Sequence, residues 1–339
     1  QRGLAHFLEH MAFRGSVHMA DGEINRTLER LGAKFGADTN ASTGQEETIY
    51  QFDIPKSDDE SIAKALAITR EIAGNLNLDP AAAATEAGVV LSELKLRDSP
   101  ALRALQVQLN FLLKDAHATA LPNGDPAVIA KAPVAEMRAY YQAYYRPERA
   151  TLVIVGDFDA AKVETMIKQS FADWRGAGAK GSDPSLAISR ARGLESEIFV
   201  EPRATNRILL AWMRPPERTP ERERDEKASL IQDIGLSVIN RRLRDYDVPA
   251  RPYTRAGMSR ETVFKDAEIT SFSIGFEPDQ WRAALETAER IRMRVLHSGV
   301  TQDEVDRVVT ELRNASENSS SAADTRPSRG IAGAILREV

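Results

Sequence analysis

Apolar positions along the chain recur first with the period of a helix. Gly3 to Phe13, GLAHFLEHMAF, reads as a short buried helix closed by Arg14-Gly15. A second helix starts at Asp21-Gly22, carries Ile24, Leu28 and Leu31 on one face and ends at Gly32. The pattern then changes to alternation. Residues 34–42 and 46–54 read as strands, with Thr48, Tyr50 and Phe52 on one face and Pro55 as the stop. Helical periodicity returns over 57–75. It resumes at Asp79-Pro80, runs through Leu91 and Leu96, breaks near Ser99-Pro100 and continues toward His117. Pro122-Asn123-Gly124 is a loop, and Val134 to Tyr145 is helical. The run ATLVIV at 150–155 has the continuous apolar character of a fully buried strand. Gly156-Asp157 then leads into a helix ending near Trp174.

Residues 175–186, RGAGAKGSDPSL, are the best linker in the chain. Beyond them the order starts again. Strands are expected at 197–201 and 207–213, a helix at 220–243, strands at 253–260 and 267–276, and helices at 279–298 and 301–316. The polar, Ser-rich stretch Asn314–Ser321 reads as a bend. Both halves mix strand pairs with long helices, which predicts an α+β fold built from two similar domains, each a mostly antiparallel sheet packed with helices. The expected boundaries are 1–175, a linker at 176–190, and 191–339.

Composition narrows the chemistry. A length of 339 residues fits two domains, and 42% hydrophobic residues suffice for real cores. A net charge of −5 gives no electrostatic footprint for nucleic acid. No run of 18 apolar residues exists, so no membrane span is expected. The absence of cysteine excludes a disulfide scaffold, a thiolate nucleophile and any Cys-ligated zinc. Any metal must sit on carboxylates and on the five histidines, His6, His10, His18, His117 and His297. The start at Gln1, directly into an apolar helix, reads as an excerpt of a longer protein.

One constellation stands out, His6-Phe7-Leu8-Glu9-His10. On a helix, positions i, i+3 and i+4 share a face, so both imidazoles can meet one zinc ion with Glu9 beside them to take a proton from water. Such a site needs a third ligand that leaves one position open. Glu86 and Glu93, seven residues apart on one helical stretch, are both candidates, one as ligand and the other as its hydrogen-bonded support. The other histidines have no ligand-spaced company and read as surface or interfacial residues. The pairs Tyr140-Tyr141 and Tyr144-Tyr145 read as packing residues. No P-loop, GxSxG or EF-hand pattern appears.

GLAHFLEHMAFRGS resembles the signature of the inverzincin metallopeptidases, the family of pitrilysin, insulin-degrading enzyme and the mitochondrial processing peptidase β subunit. Four further blocks are similar to that family in its own order: GAKFGADTNASTGQEETIYQFDIP, EAGVVLSEL, YYQAYYRPERATLVIVGDFD and INRRLRD. The likeness covers essentially the whole chain. It implies half of a clamshell, with a zinc-bearing domain at 1–175 lacking its first strands and a homologous inactive domain at 191–339. It also implies a zinc metalloendopeptidase acting on oligopeptides or unfolded polypeptides, with one Zn2+ held by His6, His10 and a glutamate, and with Glu9 as general base. Counting from His10 by the family's usual spacing lands on Glu86, whereas the local pattern points to Glu93. The reading adopted is Glu93 as ligand and Glu86 as its support.

By the same resemblance a peptide substrate adds as a strand at Asn40 and Ala41. A missing C-terminal half or a partner subunit closes the chamber, and a bacterial periplasm is the favoured compartment. Arg244 and Tyr253 lie loosely like the family's oxyanion-stabilising pair, but their context departs from its pattern and they stay unassigned. The alternative to an enzyme is a catalytically silent scaffold or core-subunit homologue of the same family, although such proteins usually lose HxxEH.

Overall fold

The computed structural model describes residues 3–34, 36–114, 124–183, 193–215, 222–246, 251–263 and 267–338. His117, Pro122-Asn123 and the second part of the expected linker lie outside these residues. The chain forms α1 (Leu4–Met11), α2 (Glu23–Arg30), β1 (Thr39–Thr43), β2 (Thr48–Phe52), α3 (Asp59–Gly74), α4 (Pro80–Arg97) and α5 (Pro100–Leu112). It continues with α6 (Pro126–Ile129), α7 (Val134–Tyr144), α8 (Ala160–Phe171), β3 (Arg207–Arg214) and α9 (Arg222–Arg244). It ends with β4 (Arg255–Val263), β5 (Ala267–Gly275), α10 (Trp281–Ser298), α11 (Gln302–Ser321) and α12 (Ser328–Glu338). The fold is α+β, with small antiparallel sheets and long helices.

The chain divides into two compact units, and neither is one continuous stretch. The first holds residues 1–102, 120–184 and 326–339; the second holds 103–119 and 185–325. Within the first, α12 is tied back by Arg329, whose Nη2 donates to the Ala37 carbonyl at 2.6 Å. Within the second, Arg103 pairs with Glu201 at 2.9 Å and Lys114 with Glu195 at 2.8 Å.

The core of the first unit is built around α1. Leu4, Phe7, Leu8 and Met11 are all essentially inaccessible and pack with Ile24, Leu28, Ile68, Ile72, Val90, Ile129 and Met137. A helix apolar on almost every side must be buried all round, which is why its histidines and glutamate end up inside the protein. Gly3 makes its entry possible. Its φ of 100° is left-handed, and a Cβ there would come within 2.8 Å of the Gly124 Cα. The α4 helix begins at Asp79, whose Oδ1 accepts from the Ala81 and Ala82 amides at 2.9 Å, with Pro80 in the first turn.

β1 and β2 pair antiparallel from Thr39↔Phe52 to Thr43↔Thr48. The second unit's sheet has the order β3-β5-β4, and central β5 is its most buried strand. Its hydrophobic core joins Phe272 and Ile274 of β5 to Leu243 of α9 and to Ala284, Ala288 and Ile291 of α10.

Three local expectations fail. Residues 150–155 belong to no ladder among the described residues, and Leu152 is 40% exposed. Ile154 of this run packs against Ile62, Leu66 and Val163. An apolar run specifies burial, but a strand also needs a neighbour to take its amides and carbonyls. The run at 197–201 likewise forms no strand, and Ile198 and Val200 are exposed. The expected bend at Asn314–Ser321 is instead the last part of α11, which stays helical because its polar side chains all face solvent.

Candidate metal centre

Two helices build the site. On α1, one turn apart, His6 and His10 stand with ring centroids 4.9 Å apart at an interplanar angle of 89°. On α4, Glu86 and Glu93 are two turns apart and face α1. The structure brings Glu93 Oε2 to 3.1 Å from His10 Nε2 and to 3.8 Å from His6 Nε2. Ligand atoms about 2.0–2.2 Å from one tetrahedral zinc stand roughly 3.3 Å from one another. The two separations from Glu93 bracket that value, and all three ligand atoms lie within 4.8 Å of one another, so the residue types and their convergence suit a zinc ion. Among the described residues, His6, His10 and Glu93 are the one cluster of His and carboxylate groups with metal-ligand geometry. Two neutral imidazoles and a carboxylate suit zinc.

Glu86 occupies the other side of His10. Its Oε1 accepts from His10 Nδ1 at 2.9 Å. A carboxylate can only accept, so Nδ1 donates to Glu86, and Nε2, which faces Glu93 and His6, is the nitrogen left to bind a metal once it has no proton of its own. The two nitrogens of an imidazole point in nearly opposite directions. Glu86 therefore stands away from the point where the other three groups converge. Its Oε2 accepts from Arg14 Nη1 at 3.0 Å. Glu93 Oε1 is held by Arg97, one turn further along α4, at 2.6 Å.

Glu9 lies between the histidines, 8% exposed. Its Oε2 accepts from Thr43 Oγ1 at 2.5 Å. Burial pushes the Glu9 carboxyl above the usual carboxylate range, more strongly than the Thr43 hydrogen bond and the His10 charge pull it down. For His10, burial favours the neutral ring, but the hydrogen bond to Glu86 and the charges of Glu93, Glu86 and Glu9 outweigh it and raise its pKa. In the metal-free state this imidazole holds its proton more firmly than an ordinary histidine, and a metal must displace it.

The expected substrate residues lie on β1. Its alternation turns Thr39, Ala41 and Thr43 inward and leaves Asn40 and Ser42 exposed. Asn40 Oδ1 accepts from the Ala41 amide at 3.0 Å. Ala41 packs at the margin of the α1 core. Thr43, which no motif in the sequence singles out, is the residue of this strand that reaches Glu9. The same period-two pattern that sends Thr39 inward was the available signal.

The remaining candidates are elsewhere. Tyr253 is buried in the second unit and its hydroxyl donates to the Leu243 carbonyl at 2.5 Å, while Arg244 is exposed beside Asp245. His18 is mostly exposed and bonds Glu71 at 2.9 Å. His297 lies exposed at the end of α10. The tyrosines of α7 pack together, with the rings of Tyr141 and Tyr145 4.9 Å apart. No helix among the described residues is long and apolar enough to cross a membrane.

Comparison with known proteins gives the family. Residues 1–122 match the family Insulinase (Peptidase family M16), and residues 131–312 match the Peptidase M16 inactive domain. The chain is 26% identical over 335 residues to the probable zinc protease PqqL of Haemophilus influenzae, covering 94% of this chain and 35% of that protein. It is 28% identical over 245 residues to a zinc protease PQQL-like protein of Arabidopsis thaliana, covering 72% of this chain and 26% of that one. The chain thus spans about a third or less of the length of these relatives. The crystal structure of the first half of the periplasmic protease PqqL from Escherichia coli superposes with a TM-score of 0.83 at 22% identity, over 98% of this chain and 71% of that one. Pitrilysin superposes with a TM-score of 0.66 at 14% identity. The chain belongs to the insulinase family of peptidases, family M16.

Proposed function

We propose that this chain is the zinc-bearing part of a metalloendopeptidase that hydrolyses oligopeptides or unfolded polypeptides. The observation that carries the reading is the convergence of His6, His10 and Glu93 within 4.8 Å of one another, with the buried Glu9 on the same helix turn. Zinc at this position would supply Lewis-acid polarisation of the scissile carbonyl and a water of lowered pKa. His6 Nε2, His10 Nε2 and Glu93 Oε2 would hold it, and Glu86 supports His10 from behind. Glu9 serves as general base. Thr43 engages its Oε2, so Oε1 is the oxygen that takes the proton of the attacking water and returns it to the leaving amine. The raised pKa of this carboxyl suits a group that must both accept and release a proton.

The peptide lies against β1 as an added strand, main chain to main chain, at Asn40 and Ala41. The division into a zinc-bearing domain at 1–175, a linker at 176–190 and an inactive domain at 191–339 belongs to the same proposal. So does closure of the chamber by a second half, which the much greater length of the relatives supports. A periplasmic location is supported by the described location of the Escherichia coli relative.

The test is Glu9→Gln. The variant is expected to retain about one zinc per chain by atomic absorption and to lose cleavage of a quenched fluorescent peptide. Wild-type cleavage by that variant overturns the general-base role. A wild-type protein that takes up no zinc overturns the metal-site reading and favours a silent homologue.

A further inference from the structure

The bonds around Glu86 do not stop at the metal site. Its two carboxylate oxygens are divided: Oε1 accepts from His10 Nδ1 and Oε2 accepts from Arg14 Nη1. The same guanidinium turns its Nη2 to Asp21 Oδ2 at 2.9 Å. This places four side chains in a row, from His10 at the site to Asp21 at the surface. Gly15, with φ of 110°, lets the chain fold back between Arg14 and Asp21, and a Cβ there would stand 3.2 Å from the Asp21 amide. The loop is pinned on its far side by Glu71, which accepts from Ser16 Oγ at 2.5 Å and from His18 Nδ1 at 2.9 Å. Arg14 thus sits on a loop held at both ends.

We propose that Arg14 is a positioning residue for the metal centre, acting on His10 through Glu86. The inference rests on the zinc-site reading above. Arg14, anchored to Asp21 through Nη2, holds Glu86 Oε2 through Nη1, and the Glu86 carboxylate so held fixes the orientation and tautomer of the His10 ring. Without Arg14, the Glu86 carboxylate is free to rotate about its last torsion, and His10 Nε2 is no longer held on the line to Glu93 and His6. A lysine, a single-point donor, reaches one of the two carboxylates but does not span both.

The test measures zinc affinity of the full chain by chelator competition, alongside the unfolding temperature of the zinc-free protein. Arg14→Gln is expected to weaken zinc binding about tenfold, the lower end of the range for groups that orient ligands. Its zinc-free unfolding temperature is expected to stay within a few degrees of wild type. In cleavage of a quenched peptide, kcat is expected to fall while KM holds. Arg14→Lys is expected to be intermediate in zinc affinity. Wild-type zinc affinity in a folded Arg14→Gln protein overturns the proposal. If Arg14→Gln does not fold, Arg14→Lys decides: weakened zinc affinity supports the proposal and wild-type affinity overturns it. Absence of zinc binding in the wild-type protein would instead overturn the metal-site reading.

Discussion

The hydroxyl of Thr43 donates to Glu9 Oε2 at 2.5 Å, joining the end of β1 to the middle of α1 across 34 positions of sequence. This hydrogen bond orients the carboxylate and works against the burial that raises its pKa. A hydrogen bond to a charged group contributes about 1.5–3 kcal/mol. If it is made fully in the transition state, its loss costs roughly 10- to 100-fold in rate. Thr43→Val is therefore expected to lower kcat by that factor with little change in KM, and Thr43→Ser to recover most of it. A Val variant that changes KM alone would place Thr43 in substrate binding and not on the base.

Glu86 and Glu93 are separable by experiment because they stand on opposite nitrogens of His10. Glu86→Gln keeps an acceptor for His10 Nδ1 and is expected to weaken zinc binding by about 10- to 100-fold. Glu93→Gln replaces a ligand oxygen and is expected to weaken it further, leaving less than stoichiometric zinc after dialysis. Atomic absorption on both variants checks the order. Retention of full zinc by the Glu93 variant and loss by the Glu86 variant would reverse the assignment.

Much of the candidate site is legible in the sequence. His6, Glu9 and His10 are adjacent in the chain, and helical geometry alone puts them on one face. Glu86 and Glu93 share a helix face by their spacing, but spacing could not choose between them. That choice depends on which side of the His10 ring each carboxylate meets, a tertiary fact. In the sequence Arg14 marks only the end of a helix, because its partners come from α4 and from a loop that folds back at Gly15. In the fold, α3, α4, α7 and β5 lie close to their expected spans, since each is set by local periodicity and capping. The runs at 150–155 and 197–201 failed as strands because pairing is not local: apolar character names a buried segment but not its neighbour.

The entry to α1 depends on Gly3. With φ at 100° and Gly124 and Ile129 against it, any Cβ there meets both backbone strain and contact. Such strain costs about 1–3 kcal/mol. Gly3→Ala is expected to lower the urea midpoint of the unit that contains α1 and to weaken zinc binding in parallel, because the same turn sets the register of His6 and His10. Weakened stability with unchanged zinc affinity would show that the helix recovers its position once inside the core.

The second unit carries an acid-sensitive joint that leaves the metal site aside. Glu304 closes the first turn of α11 as a capping box with Thr301 and accepts from Arg242 of α9 at 2.6 and 2.7 Å. The Arg242 guanidinium, with the Thr301 amide, holds the Glu304 carboxyl down at about 2, against 4.5 unperturbed. The folded state therefore binds fewer protons than the unfolded state between those values. The stabilisation is complete above about pH 4.5 and is lost as pH falls toward 2. Exposure of the pair to solvent screens part of it. Glu304→Gln removes the titrating group, so the variant is expected to be less stable than wild type at pH 5.5 and to converge with it near pH 2. Urea midpoints measured across that range check the sign. Two curves that stay parallel down to pH 2 would show that the joint contributes no linked stability.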